Sequence, residues 1–152
     1  MAEEPTTNYL DDVQARMNKI LQRSKKSTNA LLVLSQTFII REQFSRADSL
    51  LGSLAESVNP SNKVLNDIGV LSFQQGEYHE AENYFERCIV TDPTFLEPIY
   101  NLSLTKEKLN KLDQAIELMQ RYIDLEKNEE WNRVAQSKLK DYLENKNDYS
   151  WA

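Results

Sequence analysis

One pattern recurs along this sequence at a constant interval of 34 residues. Ala47, Ala81 and Ala115 carry it, as do Leu34, Ile68 and Leu102, and Ser35, Gly69 and Ser103. So do Leu31, Leu65 and Ile99, then Phe44, Tyr78 and Leu112, then Leu51, Phe85 and Met119. No gap is needed to bring these sets into register. The central copy, from Asn66 to Pro93, shows what is repeated. Leu65, Ile68, Leu71 and Ser72 share one helical face, with Gly69 among them. Gly76 breaks that helix, because glycine enters the left-handed conformation without steric penalty. A second helical pattern restarts at Tyr78 and puts Ala81, Phe85, Cys88 and Ile89 on one face. Asp92-Pro93 stops it, since proline disfavours helix in the residue before it. The repeated unit is thus a helical hairpin with a small residue in each arm. A fixed period of this length in helical sequence predicts hairpins stacked in series.

The residue types narrow this further. Each first helix reads apolar-x-x-apolar-small, each second helix carries Ala-x-x-x-large, and a proline closes the central copy. In these features the chain resembles the tetratricopeptide repeat family over Thr28 to Glu129. The resemblance implies an all-α, right-handed superhelical solenoid of three helix-turn-helix repeats with capping helices at both ends. It departs from the family pattern in three ways. No tryptophan opens a repeat, Lys106 stands where an aromatic is usual, and the third repeat ends in Lys127-Asn128.

Taken in order, residues 1–8 are polar and read as a disordered start. Residues 9–27 hold an amphipathic helix with Leu10, Val13, Met17, Ile20 and Leu21 on one face. Its register matches the second arm of an incomplete earlier repeat, so it is expected to cap the apolar end of the array. The three repeats follow at 28–61, 62–95 and 96–129, and Ser61 is a plausible helix cap. Asn128 is another, opening a closing helix over 130–145. There Trp131, Val134, Ala135, Leu139, Tyr142 and Leu143 are expected to face inward. Residues 146–152 read as a flexible tail carrying Tyr149 and Trp151.

Charge excludes some partners. The 152 residues hold 18 basic and 24 acidic side chains, a net charge of −6. Nucleic acid would need a clustered basic surface, and Arg23-Ser24-Lys25-Lys26 is accounted for by a helix C-terminus. No apolar run reaches membrane-spanning length, and the start lacks the basic and apolar regions of a secretory signal. Together these point to a cytoplasmic protein.

The sequence offers little for catalysis, which needs convergent groups. His79 is the single histidine and reads as an exposed polar residue at a helix start. Cys88, the single cysteine, lies on an inward face and reads as a buried small apolar group. No histidine and cysteine pairing can make a zinc site, and Gly69 and Gly76 do not form a phosphate loop. The expectation is a non-enzyme with no cofactor and no metal.

Within the resembled family, ligands bind the concave side lined by first helices. The lining positions in repeat one are Asn29, Leu32, Gln36 and Ile39. In repeat two they are Asn66, Val70, Phe73 and Gln74. In repeat three they are Glu97, Tyr100, Leu104, Glu107 and Lys108. Leu32, Ile39, Val70, Phe73, Tyr100 and Leu104 make this lining apolar in part, and an apolar concavity edged by polar groups usually binds something. One subset of the family grips the C-terminal carboxylate of chaperones with basic and amide groups. The corresponding positions here are Leu32, Gln36, Asp67, Glu97 and Asn101. Only Asn101 suits that task and two are acidic, so an anionic terminus would be repelled. The reading is an adaptor or chaperone-like module binding a protein segment with apolar anchors, open to a basic partner. The alternative is a structural scaffold that self-associates through its terminal helices or aromatic tail.

Overall fold

A computed structural model of the chain describes residues 5–23, 28–56 and 60–149. Eight helices run through the described residues, with no strand among them. They are α1 (Pro5–Arg23), α2 (Thr28–Ile40), α3 (Phe44–Ala55), α4 (Asn62–Gln74), α5 (Tyr78–Thr91), α6 (Glu97–Lys108), α7 (Leu112–Leu125) and α8 (Glu129–Tyr149). The second helices α3, α5 and α7 start at 44, 78 and 112, which reproduces the 34-residue period of the sequence.

The same turn closes α2, α4 and α6. Glu42, Gly76 and Asn110 take positive φ values of 59°, 80° and 60°. Their N–H groups reach back to the carbonyls of Ile39, Phe73 and Glu107. The next N–H groups, from Gln43, Glu77 and Lys111, reach Phe38, Ser72 and Lys106 at 2.8–2.9 Å. This paired pattern satisfies helix-end carbonyls through a left-handed residue. Glycine fills that position in one turn only. Glu42 and Asn110 adopt it at a steric cost, smaller for asparagine.

The chain divides into two compact units, residues 1–71 and 72–152, with the division inside α4. In the first unit, Leu34, Phe38, Ala47, Leu51, Val64 and Leu71 are core residues. Met17 and Leu21 of α1 pack against them, and α1 lies on α2. Ile20, expected on the same face, is exposed. Arg41 ties α1 down by pairing with Asp11 and donating to Gln14 at 3.1 Å. Ser61 caps α4, its Oγ accepting the Val64 N–H at 3.3 Å. Residues 5–8 belong to α1 rather than to an unstructured start. Pro5 suits the first turn, where its missing N–H forfeits no helical bond.

In the second unit, Ile99, Ala115, Met119, Tyr122, Ala135 and Tyr142 form the core. Neighbouring helices pack in sequence order, α5 on α6, α6 on α7 and α7 on α8. Ala81, Cys88 and Ala115 are fully buried. Ser103 crosses the α6–α7 contact, its Oγ donating to the Ala115 carbonyl at 2.6 Å. The inward stripe of α8 is narrower than expected. Ala135 and Tyr142 are buried, whereas Trp131, Val134 and Leu143 are exposed. α8 packs chiefly on α7, so one stripe suffices to cover it. α8 also extends past 145 to Tyr149. No glycine or proline stops it there, and Lys146 in its last turn pairs with Asp113 of α7 at 2.8 Å.

Candidate functional site

The expected lining positions fall in both units, with the repeat-two set divided between them: Asn66 and Val70 in the first, Phe73 and Gln74 in the second. In the first unit, Leu32 (6% exposed) and Ile39 (9%) are core residues, not groove-lining ones. α2 is apolar on nearly every side, and both α1 and α3 pack on it. Neighbouring helices therefore claim the face that the sequence left open. Asn66 is also buried, and Val70 is half-buried against the same core. Gln36 donates to both oxygens of the buried Asp67, at 3.2 and 3.3 Å. Asn29 is exposed.

In the second unit the expected positions divide differently. Gln74, Glu97 and Lys108 are exposed, and Glu107 is half-buried. Leu104 is half-buried against the core. Phe73 meets Tyr78 edge to face, with ring centroids 5.3 Å apart. Tyr100 tilts against Tyr122 at 5.2 Å. These two expected lining aromatics are thus each engaged on one side.

Three helices bring side chains to one concavity around Tyr100. Glu97, Tyr100 and Asn101 lie on one face of α6, at three- and four-residue spacing. Tyr122 and Glu126 are one turn apart at the end of α7. Trp131 stands in the first turn of α8. These six residues line a cavity of about 410 Å³ that holds two carboxylates and no basic group. Trp131 is 56% exposed. Its backbone is fixed by Asn128, whose Oδ1 accepts the Trp131 N–H at 3.0 Å and caps α8. Asn132 adds a second tie, donating to the Ile123 and Glu126 carbonyls.

Electrostatics here favour negative charge at the rim. The Glu126 carboxylate accepts the Asn128 N–H at 2.9 Å and the Tyr122 hydroxyl at 2.8 Å. The backbone bond first, and the Tyr122 bond second, hold its titration below the usual glutamate range. Burial, aided by the Glu126 charge, pushes the Tyr122 phenol far up. Burial also raises Tyr100. Both phenols are neutral near neutral pH, and Glu126 is ionised.

A second polar cluster lies between α5 and α6. Lys106 is buried, with its Nζ 2.7 Å from Glu82 and 3.0 Å from Glu86. Lys111 reaches Glu82 at 2.9 Å. The sequence marks Lys106 as a departure from the repeat but gives no signal for its partners. His79 is exposed and lies 3.9 Å from Glu82. Among the described residues no group of three or more His, Cys, Asp or Glu could hold a metal ion. No helix among them is long and apolar enough to cross a membrane. Trp151 and the side chain of Tyr149 lie outside the described residues.

Helical hairpins with an identical turn every 34 residues define an all-α helical-repeat protein. Residues 72–139 match the tetratricopeptide repeat family, and the fold is an all-α helical repeat like that of solved tetratricopeptide repeat proteins. No curated protein matches the sequence. Similar solved structures include MamA, at 17% identity and a TM-score of 0.65 over 100% of both chains. Another is YrrB, described as a TPR protein with an unusual peptide-binding site. It is 14% identical with a TM-score of 0.63, over 92% of this chain and 72% of that one. The Sgt2 TPR domain from Aspergillus fumigatus is 19% identical with a TM-score of 0.62, over 97% and 85%.

Proposed function

We propose that this chain is a non-catalytic protein-interaction module, an adaptor or chaperone-like protein that holds a partner's segment on the α6–α7–α8 face of its second unit. The observation that carries this reading is the cavity around Tyr100, where a largely exposed Trp131 stands beside the half-buried Tyr100 and the buried Tyr122. A large exposed aromatic beside a concavity is unusual on a surface with no partner, and aromatics of this kind tend to dominate binding energy. Leu104, one turn along α6 from Tyr100, is half-buried in the same unit and adds an apolar contact to that face. The tetratricopeptide repeat fold supports an interaction role.

A displayed library of random peptides tests the reading. The intact chain should enrich a defined set of sequences. Trp131→Ala with Glu97→Lys should abolish that enrichment while far-ultraviolet circular dichroism stays unchanged, because both side chains are exposed. Absence of enrichment, or equal enrichment by the double variant, would refute it.

A further inference from the structure

The cavity lining has a composition that selects for charge. It presents three aromatic residues and two carboxylates, with Asn101 as the remaining polar group and no lysine or arginine. Aromatic faces carry negative potential and attract cations within about 6 Å of the ring centroid. The Tyr122 hydroxyl donates to Glu126. An anionic acceptor pushes electron density into the phenol and makes its ring a better cation partner. An anionic group would meet Glu97 and Glu126 and be repelled. A neutral aliphatic group would gain from the rings but nothing from the carboxylates.

We propose that this cavity receives a cationic side chain, lysine or arginine, of the bound segment, stacked on Tyr100 and Trp131 beside the buried Tyr122, with Glu97 and Glu126 balancing its charge. The proposal rests on the peptide-binding reading above and specifies what that site selects. Trp131 acts as the outer wall, held by the Asn128 cap at the start of α8. Glu126 is fixed by its two hydrogen bonds, so the counter-charge is in place before the ligand arrives and little ordering is required.

The test uses the full chain carrying Trp151→Phe, which leaves Trp131 as the one indole. Tetramethylammonium chloride is titrated against sodium chloride at equal ionic strength while the Trp131 indole N–H resonance is followed. A saturable shift is expected with the quaternary cation alone. Glu97→Gln with Glu126→Gln removes both charges, leaves an amide oxygen at 126 to accept the Asn128 N–H while the Tyr122 hydroxyl turns to accept from the amide N–H₂, and should weaken binding about tenfold or more. Peptides selected by the intact chain should carry lysine or arginine at one fixed position, and norleucine there should cost a similar factor. The lysine and arginine forms, compared directly, show which cation the cavity prefers. A Trp131 resonance indifferent to tetramethylammonium, or equally responsive in the double-glutamine variant, overturns the proposal. Selected peptides that bind as tightly with norleucine also overturn it, yet leave the interaction module standing. A chain that enriches no peptide while Trp131 senses the cation overturns the module reading and leaves the cation site in place.

Discussion

Lys106 occupies the third-repeat position that Phe38 and Ser72 hold in the other two, and it is buried. Burial alone would pull its ammonium down, but the hydrogen bonds to Glu82 and Glu86 outweigh this and leave it above the usual lysine range. Burial likewise pushes Glu82 up, and the bonds from Lys106 and Lys111 outweigh it and hold Glu82 low. The signs fix the pH dependence. A depressed carboxylate stabilises the fold above its ordinary value of 4.5, and that contribution is lost as pH falls through the lower folded value. A raised lysine contributes below its ordinary value of 10.5, and that contribution is lost at still higher pH. Thermal melts should therefore plateau between these limits and fall outside both. Removing one partner of a buried pair strands the other. Glu82→Gln is expected to cost about 3 kcal/mol, while Glu82→Leu with Lys106→Met, which replaces both partners by apolar side chains, should be near neutral. Denaturant midpoints would reveal a reversed order. Tyr142 offers a separate test, since its hydroxyl is buried without a hydrogen-bond partner. Tyr142→Phe should leave stability unchanged or raise it by about 1 kcal/mol. A clear loss would mean that the hydroxyl bonds to nearby Ser103 or Glu107. None of these pairings was legible in the sequence. A period aligns equivalent positions, but it does not say which side chains cross from one helix to the next.

At the scale of elements, the sequence was far more readable. The small residues at 47, 81 and 115 are all fully buried, and the large ones at 51, 85 and 119 lie beside them in the core. Gly76 announces its turn, but the sequence left Glu42 and Asn110 unmarked. Only their place in the period, 34 residues either side of Gly76, points to the shared backbone. Glu42→Gly should stabilise the fold by about 0.5–1 kcal/mol, as strain at positive φ outweighs the added chain entropy. The same change at Asn110 should give less, because asparagine tolerates that region. Ala81→Leu should cost about 1–3 kcal/mol by overpacking a fully buried site. A melting temperature equal to the parent's would count against the helix register. The expectation for α8 went wrong at Trp131, Val134 and Leu143 because hydrophobic spacing marks a candidate stripe, not its width. The misplaced side chain, Trp131, is the one that completes the cavity.

At the scale of the whole molecule, the two units depend on different terminal helices. In the first, Met17 and Leu21 cover the core and Arg41 ties α1 to the end of α2. Deleting residues 1–24 should lower the melting temperature and the solubility. A truncated chain as stable and monodisperse as the parent would end the capping assignment. In the second, α8 both closes the core through Ala135 and Tyr142 and presents Trp131 outward. The lining read from the sequence coincides with this cavity at Glu97 and Tyr100. It failed at Leu32 and Ile39, because which face of an all-apolar helix stays open depends on neighbours that a repeat pattern does not specify. The central claim is that the second unit binds a partner segment around Tyr100. Amide chemical-shift mapping of the full chain with a peptide selected by that chain tests it most directly. The account predicts that perturbed amides cluster at 97–104 and 122–132 and that the Trp131 indole shifts with them. Perturbation confined to residues 5–56, or spread without any change at Trp131, would contradict it.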